Sequence, residues 1–179
     1  MNSSAYAALW ILLQLLVEIN CQMKLPKDHH HTATLIDGKL YILGGRPSAS
    51  EKGFYYLDVS VEFNTLNLLW KDLSSINTVP SHFGAASVKG GANNSTLFLY
   101  GGYNSTKMKL VYAFDTQSNK WTIPEVSSNA ARRYYLKGII DNNGKMYLWS
   151  GKLRGGGYAN DMLILDTINL SWGKGSLVG

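Results

Sequence analysis

Cysteine, proline and charged side chains are all scarce in this chain. Its 179 residues include one cysteine, Cys21, and four prolines, and only 16% of the residues are charged. A single cysteine excludes a disulfide framework within the chain. The low fraction of charge excludes a disordered chain, and the formal net charge of +5 is scattered rather than gathered into a stripe for nucleic acid. The composition is therefore that of a globular domain without a nucleic-acid partner.

Long apolar runs are also lacking, apart from one near the N-terminus. Residues 5–17 (AYAALWILLQLLV) are apolar except for Gln14, and this run is shorter than the roughly 20 residues that span a bilayer. Its length and place are typical of a secretory signal peptide, although no Lys or Arg precedes it. A buried helix is the alternative. We expect residues 1–21 to be a signal peptide, with cleavage after Cys21 leaving a secreted or extracellular domain that has no cysteine and no membrane span.

The expected export makes acceptor sites for N-linked glycans relevant. The Asn-X-Ser/Thr pattern occurs at Asn93, Asn94, Asn104 and Asn169. Asn93 and Asn94 overlap, so one glycan at most is expected there. The first three lie in expected turns, where a bulky glycan can be accommodated. The sequence thus predicts a glycoprotein.

What the chain has in quantity is glycine and a long internal repeat. Trp70, Trp121 and Trp172 are each 51 residues apart, and His31, His82 and Arg133 follow the same period. A period near 50 residues indicates an array of one supersecondary unit. We expect a short N-terminal segment at 22–30 and three units at 31–81, 82–132 and 133–179.

Each unit has the same order of strands and turns. A strand of small residues leads through a turn such as Asp37-Gly38, which favours a type I′ hairpin, into an apolar strand that ends in glycine. A third strand ends in an aspartate, and a polar turn leads to the outer strand with its tryptophan. The near-continuous apolar strands predict burial on both faces. The residues expected to be structural are Gly44, Gly45, Trp70, Gly101, Gly102, Trp121, Gly151 and Trp172.

This ordered set resembles the kelch repeat family, from about His31 to Trp172, with Ser150 in place of the first glycine of the third unit. The resemblance implies an all-β fold, a kelch-type β-propeller with three four-stranded blades. Propellers close with four to eight blades, so three blades form an incomplete ring. We expect either a piece of a longer secreted or membrane-anchored kelch protein, or two chains that self-associate to close the ring.

Several conspicuous residues have plain structural explanations. The tryptophans hold a fixed place in every blade, which predicts packing between blades rather than a ligand cage. The segment Asp28-His29-His30-His31 has metal-binding residue types, but neighbouring strand residues point to opposite faces, so we expect no metal there. Gly155-Gly156-Gly157 precedes no helix that would bind phosphate and is interpreted as a surface loop.

The loops that vary between blades are the expected binding surface. In kelch-type propellers the framework is rigid, so the resemblance implies recognition by the loops at blade ends. Basic side chains with neighbouring tyrosines suit a protein or carbohydrate ligand that carries carboxylates or sugars. The candidate binding residues are Arg46, Glu51, Tyr103, Lys107, Lys109, Lys152, Arg154 and Tyr158.

The alternative is a fragment of a secreted enzyme like fungal galactose oxidase, whose copper radical centre lies on a kelch-like propeller. That chemistry needs a cysteine-linked tyrosine, a second tyrosine and two histidines. The mature chain would have no cysteine, and no two of His29, His30, His31 and His82 have a recognisable copper-site spacing. No serine–histidine–acid set or carboxylate pair is evident either. The sequence predicts a non-catalytic binding segment without a cofactor.

Overall fold

Three four-stranded antiparallel sheets make up the fold. The computed structural model describes residues 29–46, 52–104, 108–126 and 130–175, so the expected signal peptide at 1–21 and nearly all of the segment 22–30 lie outside the described residues. The only helical turn in the described part is 3-10, Ser74–Ile76. No helix there is long and apolar enough to cross a membrane.

The strands follow the chain order expected for blades. Blade 1 consists of β1 (Thr32–Ile36), β2 (Lys39–Leu43), β3 (Phe54–Asp58) and β4 (Lys71–Asp72). Blade 2 consists of β5 (Phe83–Gly90), β6 (Thr96–Tyr103), β7 (Val111–Asp115) and β8 (Lys120–Thr122). Blade 3 consists of β10 (Lys137–Ile140), β11 (Lys145–Trp149), β13 (Met162–Asp166) and β14 (Ser171–Gly175). A separate ribbon pairs β9 (Arg133–Tyr134) with β12 (Lys152–Leu153).

The strands of small residues are innermost, as the sequence predicts. In each sheet the first strand forms one edge, and β5 lies between β1 and β10. Small side chains on β5, such as Ala85 and Ala86, allow these edges to approach closely. The turn at Asp37-Gly38 has positive φ at both residues, 47° and 73°, as a type I′ turn requires.

The apolar core consists of two layers, one between each pair of neighbouring blades. Trp121 of blade 2 packs on Phe54 of blade 1, and Trp172 of blade 3 packs on Tyr100 of blade 2, with ring centroids 5.3 Å apart in both pairs. The predicted inter-blade role is confirmed for these two tryptophans. Trp70 differs: it precedes β4, is half-buried and belongs to neither core layer. The equivalent neighbour of Trp70 would be a blade before blade 1.

Burial of the glycine-ended strands on both faces holds for blade 2 alone. From Leu97 to Gly102 every residue of β6 is buried, because β6 lies between two other blades. In β2 and β11, by contrast, buried residues alternate with more exposed ones. The expectation of two-sided burial was therefore wrong for blades 1 and 3, since each has one neighbour in the described structure.

Strand register corrects one of the two sequence alignments. Thr32, Ala86 and Lys137 lie opposite the equivalent second-strand residues Leu43, Tyr100 and Trp149, so the positions two residues earlier, His30, Gly84 and Tyr135, are equivalent. His31 is consequently not the counterpart of His82. Blade 1 has a shorter hairpin than blade 2 but a longer loop later in the blade, so Thr32 lies 38 residues before Trp70, whereas Ala86 and Lys137 each lie 35 residues before their tryptophans.

The three equivalent positions share a left-handed backbone conformation. The φ angles are 61° at His30, 65° at Gly84 and 57° at Tyr135. The Gly84 N–H donates to the His30 carbonyl at 2.8 Å, and the Tyr135 N–H donates to the Gly84 carbonyl at 2.7 Å. This series of hydrogen bonds links the three blades beside the axis.

Candidate functional site

One end of the blades carries all the loops that the sequence singled out. The first strand of each blade begins at this end, called here the upper face, and the second strand returns to it. The loops after β2, β6 and β11 therefore lie together, with Arg46, Tyr103 and Lys152 at their starts. The hairpin turns and the turns after β3, β7 and β13 form the opposite end, the lower face.

An aromatic cluster crosses the upper face from blade 1 to blade 3. Its members are His30, Phe83, Tyr103, Tyr134 and Tyr135. Ring centroids lie 4.8 Å apart for His30 and Tyr135, 5.1 Å for Phe83 and Tyr103, and 5.2 Å for Tyr103 and Tyr134. Tyr103 and Tyr135 remain 42% and 41% exposed. The cluster is thus a connected set of rings that still presents area to solvent.

Basic side chains lie on this cluster at both ends. The Arg46 guanidinium carbon is 3.8 Å from the centroid of Phe83, and Lys152 Nζ is 6.0 Å from that of Tyr134. Both distances fall within the range of a cation–π contact, and the Lys152 contact is at its limit. The contacts hold two positive charges against the aromatic surface, where a ligand with carboxylates can reach them.

A pocket of about 230 Å³ opens beside the cluster. Tyr103 and Tyr134 form part of its wall, and Arg132 and Arg154 supply two guanidinium groups. None of the residues that line it is acidic. Arg132 donates hydrogen bonds to the carbonyls of Gly101, at 3.1 Å, and Met108, so its position is fixed by the loop of blade 2.

Electrostatics in this pocket favour an anion. Burial lowers the pKa of the Arg132 guanidinium below its ordinary value, and the nearby positive charge of Arg154 adds to the decrease. Two like charges face one small volume, and an anionic group placed between them would remove that repulsion. The arrangement therefore suits a carboxylate that enters from the upper face.

Tyr135 is held in a conformation that a bulky residue rarely adopts. Its φ of 57° lies in the left-handed region, and its N–H is fixed by the Gly84 carbonyl. A Cβ on Gly84 would lie 2.9 Å from Cδ1 of Tyr135, so only glycine leaves room for the ring. Strain of this kind costs roughly 1–3 kcal/mol and is concentrated at binding and catalytic sites.

An open groove of about 830 Å³ runs from the cluster along the inner strands. Thr32, Ser87 and Lys137 line it, and Tyr135 and Tyr158 lie at its upper end. A bound segment is therefore able to extend from the upper face along the inner edges of all three blades.

The structure brings together most of the predicted binding residues that it describes. Arg46, Tyr103, Lys152 and Arg154 contact the cluster or line its pocket. Tyr158 is 70% exposed and lines the groove, and its backbone forms an isolated antiparallel β-bridge with that of Lys152. Lys109 is exposed on the same face, but its backbone N–H bonds to the Tyr112 hydroxyl and it lines neither cavity. Glu51 and Lys107 lie outside the described residues.

Sequence reasoning missed the residues that join these loops, namely His30, Phe83, Arg132, Tyr134 and Tyr135. Arg133, next to Arg132, supports the start of β9 instead: it is buried, and its Nη2 lies 2.7 Å from Asp161 Oδ1. The pair Tyr134-Tyr135, adjacent to basic residues where an inner strand begins, was the available signal.

Three of the four predicted glycan acceptors lie on the lower face, away from the cluster. Asn93, Asn94 and Asn169 are exposed there. The Asn169 backbone N–H and side chain donate to Asp166 at 2.8 Å and 3.0 Å, and these hydrogen bonds lower the pKa of that carboxyl. Asn104 instead lines the upper pocket, and its side-chain N–H donates to the Ser81 carbonyl. A glycan on Asn104 would break that bond.

The histidine-rich segment shows no metal-binding geometry in its described part. The rings of His29 and His30 are 4.6 Å apart in an edge-to-face contact. Across the described ranges, no three His, Cys, Asp or Glu side chains converge as a ligand set. Asp28 lies outside the described residues.

Comparisons with known proteins agree on the repeat. A family model described as the KLHDC2/KLHL20/DRC7 Kelch-repeats domain matches residues 30–179. Kelch domain-containing protein 3 of Rattus norvegicus is 30% identical over 163 residues, covering 82% of this chain and 41% of that protein. Kelch-like protein 40 of Xenopus laevis is 28% identical over 126 residues, covering 70% and 19%. The chain thus spans less than half the length of these curated relatives.

A solved structure gives the same fold. The structure of YjhT superposes with a TM-score of 0.69 at 14% sequence identity, covering 86% of this chain and 52% of that one. At this identity the likeness concerns the fold alone. Because the family model spans most of the chain and the sheets form glycine-ended, tryptophan-bearing blades, the chain belongs to the kelch-repeat family and folds as an arc of a β-propeller.

Proposed function

We propose that this chain is a non-catalytic binding module whose upper face binds an acidic segment of a partner protein. The observation that carries the proposal is the aromatic cluster across three blades, with Arg46 and Lys152 on its rings and Arg132 and Arg154 in the adjacent pocket. Tyrosine and arginine are enriched among the residues that dominate protein interfaces. Carboxylates are the groups that match these cations.

A protein segment suits this surface better than a compact ligand. The pocket is small, at about 230 Å³, whereas the connected rings and the groove extend past all three inner strands. A side-chain carboxylate can occupy the pocket while neighbouring residues of the same segment pack on Tyr103, Tyr135 and Tyr158. The strained backbone at Tyr135 orders the surface before binding, which reduces the entropy cost of association.

The proposal that the module lacks catalysis rests on its histidines and acids. His82 is buried, and its Nδ1 lies 2.8 Å from the Pro80 carbonyl, so its ring supports the backbone. Asp161 pairs with Arg133. No described His, Asp or Glu lines the 230 Å³ pocket, so this pocket offers no general base.

A matched set of peptides tests the binding proposal. Fluorescently labelled peptides that contain Glu or Asp beside an aromatic residue should bind, and their Gln or Asn isosteres should bind at least tenfold more weakly, about 1.4 kcal/mol. Arg154→Ala and Tyr134→Ala should weaken binding by a similar factor, because each removes a pocket wall. Lys71→Ala, on the exposed strand β4, is the control.

Three results would contradict this proposal. Equal affinity for the acidic peptides and their amide isosteres would show that the basic side chains of the upper face do not recognise carboxylates. Binding that survives both pocket variants would place the site elsewhere. Tight binding of an acidic oligosaccharide, with no binding of any acidic peptide, would indicate that the partner is a glycan and not a protein.

We also propose that the module is exported and carries its glycans on the lower face. The apolar run at residues 5–17 supports export, and exposed Asn93 and Asn169 leave the upper face clear of sugar. When the full chain is expressed in animal cells, we expect product in the medium that begins at Gln22 and loses mass with a glycosidase. Product retained in the cytosol with Met1 intact would overturn the proposal.

A further inference from the structure

Two consecutive arginines lie between blades 2 and 3 where β9 begins. Neighbouring residues of an extended chain point to opposite sides, and the side chains of Arg132 and Arg133 bond to different blades. Arg132 donates to the carbonyls of Gly101 and Met108 in blade 2. Arg133 donates to carbonyls at the second and third strands of blade 3. Each of the two loops that form the 230 Å³ pocket is therefore held by one arginine of the pair.

Arg133 joins the two ends of residues 150–161, called here the blade 3 loop. Its Nη1 donates to the Ser150 carbonyl at 3.2 Å and to the Asp161 carbonyl at 3.1 Å. Its Nη2 lies 2.7 Å from Asp161 Oδ1. Because the guanidinium is planar and rigid, contacts at both ends of the loop fix the distance between those ends. Arg133 is only 3% exposed, so water has little access to these bonds.

Between its ends, the blade 3 loop is a small hairpin with hydrogen bonds of its own. The Leu153 N–H donates to the Gly157 carbonyl at 3.1 Å, and the Ala159 N–H donates to the Gly151 carbonyl at 2.9 Å. No heavy atom lies within 4 Å of a Cβ built on Gly155, so the tip of the hairpin projects into open space. The hairpin therefore keeps its own shape, and its direction is set at its base.

The direction of this hairpin decides where two basic side chains lie. Lys152 pairs with Tyr134 between β12 and β9, which places its Nζ 6.0 Å from the Tyr134 ring centroid. Arg154 lines the pocket. Arg133 lines neither the pocket nor the groove, but its carbonyl packs so closely against Gly101 of blade 2 that a Cβ there would collide with it. The base of the hairpin is thus fixed against the opposite wall of the pocket.

We propose that Arg133 is a positioning residue, which sets the orientation of the blade 3 loop and thereby places Lys152 and Arg154 at the pocket. This inference rests on the proposed binding of an acidic segment at the upper face. Asp161 balances the charge of Arg133, so this arginine is buried without an unpaired charge. A loop held in its binding orientation loses less entropy on association, and the cations reach the ligand in the correct geometry.

Arg133→Met tests the proposal in the full chain, because methionine fills a similar space but donates no hydrogen bond. Amide hydrogen exchange of residues 150–161, read by mass spectrometry, should become about tenfold faster in the variant. Affinity for the acidic peptides should fall about tenfold. Arg133→Lys keeps a charge for Asp161 but lacks the planar fork that reaches both ends of the loop, so both effects should be intermediate.

Leu165→Val is the matched control for a general loss of stability. Leu165 is fully buried in β13, where it pairs with Met146 and Trp172 and not with the blade 3 loop. The control should lower global stability but leave loop exchange and peptide affinity at wild-type values while the protein is fully folded. A merely structural role for Arg133 would make Arg133→Met behave as this control does.

The two readouts separate failure of this inference from failure of the proposed function. Unchanged loop exchange in Arg133→Met would overturn the inference, whether or not any peptide binds. Unchanged affinity for a peptide that the wild type binds would overturn it as well, and would leave the proposed binding site in place. A wild-type chain that binds no acidic peptide would contradict the proposed function, and loop exchange would then decide by itself whether Arg133 holds the loop.

Discussion

Gly101→Val should lower the free energy of unfolding by about 3 kcal/mol, the largest effect that we expect from a single substitution outside the binding surface. Gly101 lies in β6 at φ 73°, where a β-branched side chain is strained. A Cβ there would also collide with the backbone carbonyl of Arg133. That carbonyl belongs to the ribbon of blade 3, so the substitution would push two blades apart.

The matched control for this prediction is Gly155→Ala. No heavy atom lies within 4 Å of a Cβ built on Gly155, and its φ is not in the left-handed range. We expect a change within about 0.5 kcal/mol for the control. Urea unfolding followed by tryptophan fluorescence measures both variants. Equal stability of Gly101→Val and wild type would show that the interface between blades 2 and 3 accommodates the larger side chain without loss of folding free energy.

Acidification from pH 7 to pH 5 should destabilise the fold through His82. This residue is 3% exposed, with Nδ1 bonded to the Pro80 carbonyl and Nε2 buried against Gly44 without a hydrogen-bond partner. Burial lowers the pKa of His82 below its ordinary 6.5, and the charge of Arg132 adds to that decrease. The folded protein therefore keeps His82 neutral while the unfolded chain takes up a proton.

The sign of the effect follows from that difference in proton binding. Stability from neutral His82 is fully present above pH 6.5 and is lost as the pH falls toward the lowered folded pKa. The loss grows as the pH falls below 6.5, by at most about 1.4 kcal/mol per pH unit, until the folded ring itself takes up a proton. Asp115 and Asp166, which accept hydrogen bonds in the lower turns, also have lowered pKa values. The stability that they contribute is lost only as the pH falls below 3.8, so it does not change between pH 7 and pH 5.

His82→Gln should flatten this pH dependence, because glutamine does not titrate. Urea titrations at a series of pH values between 5 and 7.5 measure the slope in the variant and the wild type. His31→Gln, at an exposed position, is the matched control and should keep the wild-type slope. An unchanged slope in His82→Gln would assign the acid sensitivity to other groups.

The sequence alone was sufficient to predict the architecture, because the same pattern of structural residues occurs in each of the three repeats. Glycines that end an apolar strand, an aspartate in the following turn and a tryptophan on the outer strand each have one place in a blade. The structure confirms them as four-stranded sheets with Trp121 and Trp172 between blades. It also corrects the placement of His31, because blade 1 is three residues longer than blade 2 between its first strand and its tryptophan, and the spacing of the tryptophans does not contain that difference.

Only some residues of the candidate site could be predicted from the sequence. Arg46, Tyr103, Lys152 and Arg154 were found because they lie in loops that vary between blades. His30, Phe83 and Tyr135 were missed because, in sequence, they belong to the framework near the first strands. Their contact depends on how three blades pack, which no single repeat contains.

The sequence determined the unit, its strand order and the loops on which recognition depends, since these follow from local periodicity and turn chemistry. The tertiary structure decided which rings touch, where cations lie on them, and which blade faces pack against each other. Those features arise from residues about 50 positions apart that meet only when inner strands pack side by side. The distance between His30 and Tyr135, 4.8 Å between ring centroids across 105 positions of sequence, is set by that packing alone.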